Sequence, residues 1–255
     1  MNRPWIESLW PLPTADALSD EEIADIYAYP NPLSTKACWI RANFVESLDG
    51  ASALGGRSEP LSSPADKRVF RLLRALADVI LVGAGTVRAE GYGWTQLDVA
   101  EYSALRHSQK PVPPIAVVTR FGDLDPAADL FSHNTVSPIV FTSKSAPQER
   151  LKAIEAVGAE IVLTGDRDVP LPRVFEELAR RGLPRVLCEG GPQLFTSLLA
   201  ENAVDELCLT LAPTLAGGSA PRISCGSTLP TVPVAMRLAS VLFSYDSLLL
   251  RYLRR

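Results

Sequence analysis

The chain has 255 residues, 47% of them hydrophobic and 21% charged, and a net charge of −4 from 25 Lys+Arg against 29 Asp+Glu. This length admits one large domain or two small ones, and about three quarters of the unfolded surface can be buried, so folding needs no disulfide or structural metal. The apolar share excludes a disordered chain, the acidic balance excludes a nucleic-acid-coating surface, and no apolar run reaches the ~18 residues of a membrane span. Cys38, Cys188, Cys208 and Cys225 form no CxxC pair and His occurs only at 107 and 133, which argues against a zinc site. The first residues, Met1–Pro13, carry Arg3 and Glu7 and lack the apolar core of a signal peptide. Thiols rather than disulfides, with no export signal, predict a cytoplasmic protein.

Residues 1–36 read as a Pro-rich N-terminal arm laid over a main body of residues 37–255. Within the arm, Ser19-Asp20-Glu21-Glu22 is a capping box before Ile23 and Ile26, and Pro30-Asn31-Pro32 stops that helix. The body then alternates. Trp39–Val45 is a strand. Pro64–Ala77 has apolar residues at Val69, Phe70, Leu72, Leu73 and Leu76 between charges, which is a helical pattern. Asp78–Val82 is a short strand, and Gly83-Ala84-Gly85-Thr86 turns into a short helix. Residues 91–113 hold no period and read as a long loop. Ile115–Thr119 and Pro138–Thr142 are buried strands. Pro147–Val157 and Leu171–Arg181 are helices on either side of the strand Glu160–Leu163. The strand Arg185–Cys188, the helix Gly191–Glu201 and the strand Val204–Leu211 follow. Met236–Phe243 and Leu248–Leu253 alternate about Ser244-Tyr245-Asp246 as a hairpin. Strands alternating with helices predict an α/β domain, its mixed sheet mostly parallel, with helices on both faces and a C-terminal antiparallel hairpin.

In such sheets ligands bind beyond the carboxyl ends of the strands. Two Gly-rich turns fall there, Gly83-Ala84-Gly85-Thr86 and Glu189-Gly190-Gly191-Pro192, and each opens a helix whose free N–H groups suit a phosphate. Neither fits the dinucleotide fingerprint, because Arg88 stands where its third Gly would be, and neither is a P-loop. Ser47-Leu48-Asp49-Gly50 and Gly55-Gly56-Arg57-Ser58 form a Gly-rich segment that could flap over a site. Thr119-Arg120 ends a strand with a hydroxyl and a guanidinium, a pair able to hold a phosphate monoester. Asp66, Arg74, Glu90 and Glu189 are charged residues beside these turns or at a helix start; each alone reads equally as a solvated charge or, for Asp66, as a partner of the helix dipole.

Ser47-Leu48-Asp49-Gly50, Ser62-Ser63-Pro64, Leu72-Leu73-Arg74, Asp78–Gly83 with Gly85-Thr86-Val87, Glu189-Gly190-Gly191-Pro192 and Val204-Asp205-Glu206-Leu207 occur in that order. Their order and spacing over about residues 38–253 resembles the reductase domain of bacterial riboflavin biosynthesis, a dihydrofolate reductase-like family. Arg41-Ala42-Asn43-Phe44 and Glu90-Gly91-Tyr92 resemble its stand-alone actinobacterial pyrimidine reductases. The resemblance implies a single dihydrofolate reductase-like domain with a twisted sheet and NADPH across the strand ends. By that resemblance Gly83, Gly85, Thr86 and Glu90 contact the cofactor, Gly190, Gly191, Gln193 and Leu194 hold its pyrophosphate, and Thr119 and Arg120 hold its 2′-phosphate. Val45 and Ala53 would lie by the nicotinamide. Ser58, Arg74 and Glu189 match substrate positions, and Pro64-Ala65-Asp66 resembles the segment whose carboxylate binds the pterin in dihydrofolate reductases.

Two departures stand out. Many family members carry Asp-Asp-Pro-x-Leu-x-x-Arg after the Thr86-like position. This chain instead has Glu90-Gly91-Tyr92-Gly93-Trp94, with no counterpart of the Arg that helps bind the ribose phosphate. The His-x-Glu and Pro-Cys-x-x-Cys motifs of the zinc deaminase that is fused to this domain in bifunctional members are absent as well. The expectation is an NADPH-dependent reductase of 5-amino-6-(5-phosphoribosylamino)uracil, with Asp66 and Glu189 as candidate catalytic carboxylates. Ser58, Asp66, Arg74 and Glu189 would bind substrate, no metal would take part, and the chain would pair as a homodimer. Dihydrofolate reductase activity is the alternative.

Overall fold

The computed structural model describes all residues except 1–2, 32, 34–36, 94, 96, 107–108, 133–135 and 227–232. Pro32, Trp94, His107 and His133 therefore lie outside the described residues. The strands are β1 (Glu7–Trp10), β2 (Trp39–Ser47), β3 (Val79–Gly83), β4 (Ile115–Val118), β5 (Ile139–Ser143), β6 (Glu160–Gly165), β7 (Arg185–Cys188), β8 (Glu206–Ala212), β9 (Met236–Ser244) and β10 (Ser247–Arg254). The helices are α1 (Asp20–Ile26), α2 (Pro64–Leu76), α3 (Ala84–Glu90), α4 (Val99–Tyr102), α5 (Gln148–Ala156), α6 (Leu171–Arg180) and α7 (Pro192–Ala200).

The strands form one sheet in the order β1-β9-β10-β8-β2-β7-β3-β4-β5-β6. From β8 to β6 every pairing is parallel, and β10, β9 and β1 extend the β8 edge antiparallel. Alternation along β3 sends Val79 and Leu81 to the face covered by α6 and α7. It sends Ile80 and Val82 to the other face, where Ala84, Val87 and Ile154 of α3 and α5 pack. On that same side, under β8–β10, α1 and α2 bury Ile23, Val69, Leu72 and Leu73 against Cys208, Leu242 and Leu249. Runs such as Val79–Val82, apolar at every position, are what burial on both faces demands.

Local chemistry sets the element ends. Ser19 and Glu22 complete a reciprocal capping box at α1. The Ser63 hydroxyl accepts from the Asp66 amide at 3.1 Å, with Pro64 at the first position of α2. Tyr245 and Asp246 both have positive φ, as a tight two-residue turn between β9 and β10 requires.

Two readings of the sequence are corrected. Residues 7–10, read as irregular, form edge strand β1 on β9; four residues flanked by prolines give no usable period. Residues 91–113, read as a loop, contain α4 and a 3-10 turn over Ser103–Arg106. Asp98 caps α4, accepting from the Ala100 and Glu101 amides, and Leu97 and Tyr102 are buried beside α2. Arg106 explains the anchorage: its Nη1 donates to the carbonyls of Ala75 and Ala77 at 2.8 Å, satisfying the carboxyl end of α2.

Candidate active site

The site grows out of the sheet order. The chain leaves β3 and lays β4, β5 and β6 successively to one side, then returns to insert β7 between β2 and β3. This brings the two Gly-rich turns together. Gly83 N donates to Gly190 O at 3.0 Å, and Glu189 N donates to Leu81 O at 3.0 Å. Gly190 and Gly191 have φ of +98° and +71°, which L side chains rarely adopt. A Cβ on Gly191 would sit 3.1 Å from Thr86 Oγ1, one on Gly190 3.1 Å from the Phe44 ring, and one on Gly85 would project into open space. Gly191 also caps α7 without a side-chain acceptor, so the first amides of that helix have no side chain closing them off.

Across these strand ends runs a cleft of about 1350 Å³. Every cofactor or substrate residue expected from the family resemblance lines it: Val45, Ala53, Ser58, Asp66, Arg74, Gly83, Gly85, Thr86, Glu90, Thr119, Arg120, Glu189, Gly190, Gly191, Gln193 and Leu194; of the Gly-rich stretches 47–50 and 55–58, Gly56 and Ser58 do. Thr210 on β8 bonds Asp66, and Thr119 follows β4. Four strand spacings separate β8 from β4, roughly 19 Å. The cleft thus has length for two ligands end to end, and its volume exceeds the ~300–1,000 Å³ of a single-ligand pocket.

At the Asp66 end, the carboxyl is buried, with only 7% of the residue exposed. Burial raises its pKa above the ordinary value, against hydrogen bonds from the Ser62 and Thr210 hydroxyls that favour the charged form. Among the described residues no cation hydrogen-bonds it, although the charge of Lys67, which also lines the cleft, favours its ionised form.

Glu189 differs. Arg74 Nε donates to its Oε1 and Arg74 Nη2 to its Oε2, both at 2.7 Å, a bidentate pair. The Tyr92 hydroxyl accepts from Arg74 Nη2 at 2.9 Å and donates to Glu189 Oε2. Burial holds the Tyr92 phenol well above its usual pKa, so the proton stays on oxygen. Phe70 stacks on the guanidinium at 4.3 Å. Glu90 accepts from the Ser58 amide at 2.9 Å and so ties the segment after Gly56 to α3.

At the far end Arg120 is paired with Asp168, both well exposed, and the Thr119 hydroxyl accepts from the Asp123 amide at 3.3 Å. The loop after β8 forms part of the wall through Pro221 and Cys225. Asp49 clips that loop, accepting from the Ala216 and Gly217 amides at 3.0 and 2.7 Å. These bonds and one from Ser47 hold its carboxyl at a pKa of about 2. Among the described residues, no group of three or more His, Cys, Asp or Glu side chains is arranged for a metal, and no helix is long and apolar enough to cross a membrane.

Sequence reasoning passed over several lining residues: Tyr92, Phe70, Ser62, Lys67 and Asn43 line the cleft too. Ser62, Tyr92 and Asn43 stand inside segments already quoted for the family resemblance, which is the only signal that marked them. Thr210, within a plain apolar strand, carried none.

A cleft across the strand ends of a parallel sheet, floored by two joined glycine turns, places the ligand site where α/β folds carry theirs. The chain belongs to the RibD C-terminal domain family, which its residues 38–247 match. It is 32% identical over 182 residues to the 2,5-diamino-6-ribosylamino-4(3H)-pyrimidinone 5′-phosphate reductase of Archaeoglobus fulgidus, covering 71% of this chain and 82% of that protein. It is 32% identical over 177 residues to the Aquifex aeolicus enzyme of the same name, covering 68% and 75%. Among solved structures it is similar to a pyrimidine reductase-like protein from Corynebacterium diphtheriae, with a TM-score of 0.80, 25% identity and coverage of 93% and 99%.

Proposed function

We propose that the chain reduces a 6-ribosylaminopyrimidine 5′-phosphate at the expense of NADPH, in riboflavin biosynthesis. The observation that carries this reading is the Gly83–Gly190–Gly191 cradle in the same cleft as the buried Asp66, a cleft long enough for a dinucleotide and a pyrimidine. Gly190, Gly191 and the amino end of α7 supply backbone N–H groups for a pyrophosphate. Gly85 and Thr86 flank it, with Gln193 and Leu194 beside it, while Thr119 and Arg120 suit a 2′-phosphate. Glu90 braces the Ser58 segment, and Val45 and Ala53 give an apolar wall for a nicotinamide. When bound, NADPH supplies the hydride that reduces the opened ribose to a ribityl chain.

The chain's own residues do the rest. Asp66 faces the pyrimidine and either accepts its N–H donors or, once protonated, supplies a proton at Oδ. Its raised pKa places this exchange nearer neutrality than for a solvated aspartate. Arg74 binds substrate oxygen, and Glu189 holds Arg74. With both Glu189 oxygens engaged by a guanidinium, the acid–base work falls to Asp66. Ser58 contributes a polar contact from the covering segment.

The uracil expected from the sequence and the 2-amino pyrimidinone named for the curated relatives differ at the edge Asp66 would meet. The test is NADPH oxidation with both pyrimidines and with dihydrofolate, side by side. Turnover with a phosphorylated pyrimidine is expected; turnover with dihydrofolate alone would overturn the assignment.

We further propose that the working form is a cytoplasmic homodimer. The β8, β10 and β9 strands present Leu209, Leu211, Leu248, Leu250, Val241 and Phe243 on one face, and none of these belongs to a helix-packed core cluster. An apolar face of this kind suits a second copy. The four cysteines are free thiols, as a reducing compartment keeps them. Leu250→Asp is expected to give a monomer by light scattering, and a wild-type monomer would remove the dimer.

A further inference from the structure

We infer that Tyr92 is a positioning residue of this site, aiming the Arg74 guanidinium at the substrate. The inference rests on the pyrimidine-reductase reading of the cleft. Tyr92 lies just beyond α3, in the segment where the family's ribose-phosphate arginine has no counterpart. It is not a spectator of the Arg74–Glu189 pair. Its hydroxyl is the third member of a closed ring, taking one N–H of Arg74 Nη2 and giving its own proton to Glu189 Oε2.

The ring settles which part of Arg74 is left over. Nε and Nη2 are committed to Glu189 and Tyr92. Nη1 makes no hydrogen bond with the described residues and is not among the buried atoms that lack a partner. Arg74 lines the cleft with 12% of its side chain accessible. The two N–H groups of Nη1 are therefore the edge offered to a substrate oxygen. Phe70 below the guanidinium and Glu189 beside it fix its plane. Twisting about Nε–Cζ out of that plane would turn the Nη1 edge away from the cleft, and a third contact, on Nη2, resists it. Tyr92 supplies that contact. By donating to Glu189 it also takes up part of the carboxylate's charge, leaving Arg74 less neutralised and a better anion donor.

Tyr92→Phe keeps the ring packing and removes only the hydroxyl. The expected result is a KM for the phosphorylated pyrimidine raised about tenfold, the scale of one charge-assisted hydrogen bond. The kcat and the KM for NADPH are expected to stay within about threefold. In an Arg74→Lys background the same substitution should add nothing, because the group it positions is gone. Equal effects in both backgrounds, or parallel losses in pyrimidine KM, NADPH KM and melting temperature, would overturn the positioning role in favour of a purely structural one. Nitrogen-15 NMR of the Arg74 side chain reads the same property without turnover. Hindered rotation about Nε–Cζ is expected in the wild type and faster rotation in Tyr92→Phe; equal rotation in both would overturn the inference. Failure of the wild type to reduce any pyrimidine would overturn the functional reading instead, and the NMR comparison would still decide Tyr92.

Discussion

Gly83 donates its amide to the carbonyl of Gly190 at 3.0 Å, so two turns more than a hundred positions apart in sequence form one surface. The two glycines next to that bond differ in what they tolerate. Gly191 has φ +71° and faces Thr86 Oγ1 at 3.1 Å from its notional Cβ, whereas Gly83 has φ −80° and would meet Leu194 Cβ at an ordinary 3.6 Å. Gly191→Ala is expected to fold with a loss of roughly 1–3 kcal/mol from the forced backbone and to weaken NADPH at least tenfold. Gly83→Ala is expected to match the wild type in melting temperature. Nicotinamide fluorescence titration and thermal melts of both variants check this.

Arg120 points to a second comparison. Its partner Asp168 lies on the same stretch of cleft wall and competes with any phosphate for the guanidinium. Arg120→Ala is expected to weaken NADPH about 10- to 150-fold and leave NADH nearly unchanged. Asp168→Asn is expected to strengthen NADPH up to about fivefold, the range of an exposed ion pair. Equal changes for both cofactors would place the 2′-phosphate elsewhere.

Asp66 gives opposite answers for stability and for rate. Burial raises its pKa, so the folded chain binds this proton more tightly than the unfolded chain does. Its contribution to stability is complete below its unfolded pKa of about 3.9 and is lost as pH rises through the folded value. Asp66→Asn removes that loss and is expected to melt no lower than the wild type at pH 7. Turnover is expected to fall by roughly 10²-fold or more. A carboxylate serving only the helix dipole, worth ~0.3–1 kcal/mol, would give the reverse pattern: a lower melting temperature with turnover intact.

Asp49 should behave with the opposite sign. Its pKa of about 2 comes from the Ala216 and Gly217 amides and the Ser47 hydroxyl, so its contribution is present above the unfolded value and disappears as pH falls through about 2. Asp49→Ala is expected to speed hydrogen exchange at Ala216 and Gly217. Because the clipped loop carries Pro221 and Cys225 of the cleft wall, both KM values should rise a few-fold. Unchanged exchange at those two amides would show that the loop holds its place without the carboxylate.

The sequence showed most elements and the lining of the site, but not its pairings. Strands such as Val79–Val82 are legible because burial on both faces leaves continuous apolar runs. α2 is legible because Ser63, Pro64 and a helical apolar period coincide. Strand order is a different matter. Nothing in Arg185–Cys188 says that it enters between β2 and β3, since that depends on which gap the other strands leave. The same holds for Glu189. Its partner Arg74 is 115 positions away, so a charge that looked free is bound to a guanidinium. Asp66 was legible as a helix-head carboxyl, whereas the Thr210 hydroxyl that contacts it comes from across the sheet.

The late entry of β7 governs the nascent protein. Until residues 185–188 emerge from the ribosome, β2 and β3 have no partner for the edges they later share with β7, and β8, β10 and β9 are still to come. A stalled chain holding only the first 180 residues would display both edges of β2 and the facing edge of β3 bare, edges of the kind that recruit other chains. It would also lack the second glycine turn, on which the proposed cofactor site depends. On the proposed function, ligand-assisted maturation begins only once Gly190 and Gly191 have emerged, and any chaperone that protects the chain must engage it before then.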